Sequence, residues 1–129
     1  MKNRTLKMFS LFMLAAISVP AYADAVLQVW PCDLKEGKTR AELEAVSSAW
    51  IKATQSMKGA ENVELRLNFP EVAQAAGGHF YFVFSVPSLE QWGAFTGNYA
   101  GSPAAKVDEE WNKVATCTGN SLWESVTIE

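Results

Sequence analysis

The chain has 129 residues, 49% of them hydrophobic, with a formal net charge of −3. That length supports one small core, and the acidic balance disfavours phosphate backbones and anionic lipid surfaces, so neither nucleic acid nor membrane binding is expected. No phosphate loop, zinc-type ligand spacing or nucleophile motif occurs, so no metal or cofactor is expected either.

The N-terminus reads as a secretory signal peptide. Lys2, Arg4 and Lys7 form a basic region, residues 8–19 are apolar, and Pro20-Ala21-Tyr22-Ala23 ends in a small-x-small cleavage pattern. The apolar run is too short to span a bilayer. Cleavage after Ala23 leaves residues 24–129 as one domain and, by removing three cations, takes the net charge to −6. The expected location is periplasmic or secreted. Both cysteines, Cys32 and Cys117, lie in the exported part, where an oxidising compartment favours a disulfide. Closing that loop contributes on the order of 4 kcal/mol in the chain-entropy model.

Residues 25–30 (AVLQVW) predict a first strand that leaves the sheet at Pro31. Thr39 with Glu42 three residues on forms a capping box, and Leu43, Val46, Trp50, Ala53 and Met57 continue a helix that Gly59 stops. Residues 63–69 (VELRLNF) alternate with period two and predict a second strand. After a loop ending in Gly77-Gly78, residues 79–86 (HFYFVFSV) predict a third. Ser88 caps a second helix, residues 97–101 break it, and Ser102-Pro103 restarts it as far as Cys117. Residues 121–128 complete a fourth strand. The Asp108-Glu109-Glu110 run reads as a solvated helix face.

The order β, α, β, β, α, β predicts a ferredoxin-like α+β fold, a four-stranded antiparallel sheet in spatial order 4-1-3-2 with both helices on one face. In that order Cys32 and Cys117 share a corner. Strand parity then assigns Val26, Gln28 and Trp30 to the helix-free face. With them go Glu64, Arg66 and Asn68, then His79, Tyr81, Val83 and Ser85, then Ser121, Trp123, Ser125 and Thr127. Strand direction gathers Trp30, Asn68, His79 and Trp123 at one end with Tyr81 a step inward, a candidate site for a flat organic ligand. Trp50, Trp92 and Trp111 fall on core-facing helical stripes and are expected to pack. Glu64 and Arg66 read as a cross-strand salt bridge.

The topology, with residues 86–111 (VPSLEQWGAFTGNYAGSPAAKVDEEW) following the third strand, resembles the dimeric α+β barrel superfamily of antibiotic-biosynthesis monooxygenases, haem-degrading monooxygenases and NIPSNAP-like proteins. The resemblance implies a homodimer joined through helix-free sheet faces, with pockets between sheet and helices or inside the barrel. Haem-degrading members use an asparagine on the first strand, a tryptophan on the third and a histidine on the second helix. This chain has Gln28, Tyr81 and no histidine in those places.

Two functional classes stand. One is a non-catalytic exported binding or interaction module, homodimeric, holding a small aromatic or apolar ligand on the sheet face. The other is a cofactor-independent monooxygenase-like enzyme with His79 as base and Tyr81 and Asn68 orienting the substrate. His79, the chain's one histidine, also reads as a plain interface residue at a strand end.

Overall fold

A computed structural model describes residues 25–71 and 78–128. The segment assigned to the signal peptide, its expected cleavage point at Asp24, and Gly77 lie outside the described residues. Eight elements follow in order: β1 (Ala25–Leu34), α1 (Arg40–Gln55), β2 (Glu64–Asn68), β3 (His79–Val86), α2 (Leu89–Gly97), α3 (Pro103–Trp111), β4 (Ala115–Cys117) and β5 (Ser121–Ser125). The sheet is antiparallel with order β2-β3-β1-β4, and β5 pairs with the other half of β1. This is the expected ferredoxin-like arrangement, with the fourth strand divided in two.

The caps act where the sequence places them. The Thr39 hydroxyl accepts from the Glu42 backbone N–H, and the Glu42 carboxylate accepts from the Thr39 N–H at 2.8 Å. Ser88 and Ser102 cap α2 and α3 through the backbone N–H groups of Gln91 and Ala105, and Pro103 opens α3. Each such cap contributes about 1 kcal/mol.

Phe80, Phe82, Phe84 and Val86 of β3 turn toward the helices and are buried against Leu43 and Trp50 of α1, Phe95 of α2 and Ala104 and Trp111 of α3. Trp50 meets Phe82 and Phe84 edge-on, at 5.2 and 5.4 Å between centroids. Stacked edge-to-face pairs of this kind add to plain area burial.

Three expectations are corrected. First, β1 runs through Pro31 to Leu34. Pro31 is tolerated because its missing N–H falls where β1 changes neighbours, from β5 up to Val29 to β4 from Cys32, and there its carbonyl accepts from the Thr118 N–H. Second, the last helix stops at Trp111, and Ala115–Cys117 is extended. The turn Lys113 N–H to Glu110 and Val114 N–H to Trp111 unwinds it, so that Cys117 pairs directly with Cys32. The disulfide joins them across the ladder, with 4.0 Å between the α-carbons. Gly119, at φ 87°, then turns the chain between β4 and β5.

Third, β1 has the opposite parity. Its register pairs Val26 with Val86, Gln28 with Phe84, Trp30 with Phe82 and Cys32 with Phe80, so these four β1 residues share the phenylalanine face. Leu27, Val29, Pro31 and Asp33 occupy the helix-free face instead. β1 is apolar on both sides, which leaves period two without a sign.

Candidate functional site

A cleft lies on the helix-bearing side of the sheet. Its volume is about 470 Å³, within the range of small-molecule sites. Gln28 and Trp30 of β1 and Phe82 of β3 come from the sheet, Trp50 from α1, and Phe95 and Thr96 from α2. Tyr99 and Ala100 belong to the break between helices, Asp108, Trp111 and Asn112 to α3 and its cap, and Cys117 to β4. Trp30 stands edge-on to Phe82 at 5.5 Å, and Phe82 edge-on to Trp111 at 5.4 Å. Six aromatic side chains thus wall one cleft.

Polar groups enter it at two places. The Trp50 indole N–H donates to the Tyr99 hydroxyl at 2.9 Å, and that hydroxyl donates to Asp108 Oδ2 at 2.5 Å. The polarity of this relay is fixed, because an indole N–H can only donate and so the one phenolic proton is left for the carboxylate. Burial, reinforced by the bond to Asp108, pushes the Tyr99 hydroxyl far above the usual phenol range. Burial also raises the Asp108 carboxyl, against the opposing hydrogen bond from Tyr99. At the other place the Trp92 indole donates to Gln28 Oε1 at 2.9 Å. The oxygen is therefore committed, and the Gln28 amide N–H groups have no protein acceptor among the described residues.

The residues singled out from the sequence separate. Trp30 lies in this cleft. Asn68, His79 and Tyr81 lie on the opposite, helix-free face, where Asn68 pairs with Tyr81 across the β2–β3 ladder. His79 meets Tyr81 edge-on at 5.2 Å, and its Nδ1 is 3.3 Å from Asp33 Oδ1. Gly78 sets up that corner: its φ is 97°, its carbonyl accepts from Leu34, and a Cβ there would touch the Leu34 side chain at 3.4 Å. Trp123 shares the helix-free face but pairs with Leu27, six residues along β1 from Asp33, or about 20 Å. The expected gathering of Trp30, Asn68, His79, Tyr81 and Trp123 at one end does not form. The parity of β1 removes Trp30 and the register of β5 removes Trp123.

Sequence reasoning missed Trp50, Trp111, Tyr99 and Asp108. The two indoles do pack, yet they also face the cleft. Asp108 is half-buried while Glu109 and Glu110 are exposed. Its spacing carried the signal: it stands four residues after Ala104 and three before Trp111, on the buried stripe of α3. Arg66 and Glu64 bridge at 3.1 Å along one exposed strand rather than across two.

No family model and no curated protein matches the chain. Solved structures do. SnoaB from Streptomyces nogalater, a cofactor-independent oxygenase, is 11% identical with a TM-score of 0.56 over 82% of this chain and 97% of that one. A Dabb family protein with a ferredoxin-like fold from Mesorhizobium loti is 13% identical, TM-score 0.50, over 82% and 99%. A dimeric ferredoxin-like protein of unknown function from Thermobifida fusca is 9% identical, TM-score 0.51, over 81% and 93%. At these identities the likeness is one of fold, and the fold is ferredoxin-like.

Proposed function

We propose that residues 24–129 form an exported, non-catalytic binding protein that is homodimeric through the helix-free sheet face. It holds a small aromatic or apolar ligand in the cleft between sheet and helices. The observation that carries this reading is the cleft itself, six aromatic side chains around about 470 Å³ with polar groups at two points. The basic and apolar N-terminal segment and the Cys32–Cys117 disulfide support export to an oxidising compartment. The dimer is supported by Leu27, Val29 and Pro31 on a face that no helix among the described residues covers, flanked by exposed Tyr81 and Trp123, and by the dimeric protein of the same fold.

Native mass spectrometry on protein purified from its own compartment tests the reading. A small molecule retained by the wild type and lost on Ala100→Trp, which fills the cleft from an exposed position, supports it. A molecule retained by that variant but lost on His79→Ala moves the site to the helix-free face. Finding no retained molecule in any preparation overturns ligand binding.

A second reading, a cofactor-independent oxygenase, is favoured by the carboxylate inside the cleft and by the fold shared with SnoaB. The proton acceptor for a cleft-bound substrate is then Asp108, because His79, Tyr81 and Asn68 lie across the sheet. Oxygen uptake with a phenolic substrate that disappears in Asp108→Asn distinguishes this reading from simple binding.

A further inference from the structure

The charges around the cleft are unequal. Among the described residues that line it, Asp108 is the only ionisable group of either sign apart from the Tyr99 phenol, and none is a lysine, arginine or histidine. Lys35 donates to the Asn112 carbonyl but does not itself line the cleft. The polar company of the Asp108 carboxylate is neutral, the Tyr99 hydroxyl with the Trp50 indole behind it. A half-buried carboxylate without a counter-charge is a costly arrangement, and it is relieved by a cation. The rest of the wall is what a cation tolerates best among apolar surfaces. Trp30, Trp50, Phe82 and Trp111 line it, and aromatic rings attract ammonium and guanidinium groups when water is displaced.

We infer that the ligand of this cleft is a protonated or quaternary amine on an apolar or aromatic body, its cationic head set against Asp108 and its body against the indole and phenyl walls. The inference rests on the cleft being the binding site. An anionic ligand of the same shape meets an unpaired carboxylate in a low-dielectric cleft and is rejected. A neutral one fills the walls but leaves Asp108 as it stands. The overall charge of −6 after loss of residues 1–23 acts in the same direction, drawing cations toward the surface and repelling anions.

Three probes of one shape and different charge test this by titration of tryptophan fluorescence on the folded, disulfide-intact protein: (naphthylmethyl)ammonium, naphthylmethanol and naphthoate. The ammonium is expected to bind about tenfold more tightly than the alcohol, and naphthoate more weakly than either. In Asp108→Asn the ammonium falls to the level of the alcohol while the alcohol is unchanged. An alcohol or carboxylate that binds the wild type as tightly as the ammonium overturns the inference but leaves the cleft as a binding site. So does an ammonium advantage that survives in Asp108→Asn. If none of the three binds at millimolar concentration, both the inference and the cleft reading fall. Should Asp108→Asn not fold, as judged by circular dichroism, the order of the three probes on the wild type decides by itself.

Discussion

Tyr99→Phe isolates the polar relay that organises the cleft. The phenyl ring keeps its contacts with Phe95, at 5.3 Å between centroids, and with Trp50, at 6.5 Å, so little apolar burial is lost. What disappears is one hydroxyl with two partners. Trp50 is 4% exposed, and its indole N–H loses its acceptor. An ordinary hydrogen bond lost in this way costs about 0.5–1.5 kcal/mol, and one to a charged acceptor, here Asp108, about 1.5–3 kcal/mol. Both bonds border an open cleft into which water can move, so the lower ends apply and the sum is about 2 kcal/mol. For a domain of this size that lowers the melting temperature by roughly 8–16 °C. The measurement is thermal unfolding followed by circular dichroism, with Tyr81→Phe as the control. The Tyr81 hydroxyl is on the exposed face and makes no side-chain hydrogen bond among the described residues, so that change is expected to fall within about 0.5 kcal/mol of wild type. A Tyr99→Phe melting point indistinguishable from that of Tyr81→Phe would refute the relay as a structural element.

Three further expectations follow from the same geometry. Burial raises the Asp108 carboxyl above its ordinary value of 3.8, so between 3.8 and the folded value the folded chain holds a proton that the unfolded chain has released. Relative to Asp108→Asn, the wild type therefore loses stability as pH rises from 3.8 through the folded value and then levels off; denaturant melts that diverge in the opposite sense contradict the burial. Reducing the Cys32–Cys117 bond, which spans 85 residues, lowers the melting point by several degrees, and an unchanged curve with both thiols confirmed free removes the staple from the account of stability. Trp123→Arg, at a position 59% exposed, places two like charges in the proposed twofold interface and shifts sedimentation toward monomer, whereas a wild type that sediments as a monomer at high micromolar concentration rejects the dimer.

Much of the fold is legible in the amino-acid sequence because it depends on local chemistry. Thr39, Ser88 and Ser102 announce helix starts, since a hydroxyl that satisfies a free backbone N–H needs no tertiary partner. The run Phe80, Phe82, Phe84, Val86 sets both the strand and its buried side, because His79, Tyr81 and Ser85 on the other parity are polar or amphipathic. The pairing of Cys32 with Cys117 is expected from there being two cysteines in the chain, and the split βαβ order places them at one corner.

The site was legible only in fragments, because its residues acquire their roles by meeting. Within Ala25–Leu34 both parities are apolar, and nothing in the strand itself says whether Gln28 and Trp30 or Leu27 and Val29 face the helices. Register against the phenylalanines of β3 decides it, because residues opposite one another on adjacent strands must share a side. The same register moves Trp30 away from His79 and Tyr81, and the division of the last strand at Gly119 carries Trp123 to the far end of β1. Trp50, Tyr99 and Asp108 stand on three different segments, and no spacing along the chain encodes a hydrogen bond from α1 to α3 through the turn between helices. Amino-acid order determines caps and periods through interactions a few residues long. The cleft and its lone carboxylate exist only once long-range packing has chosen a face for every strand.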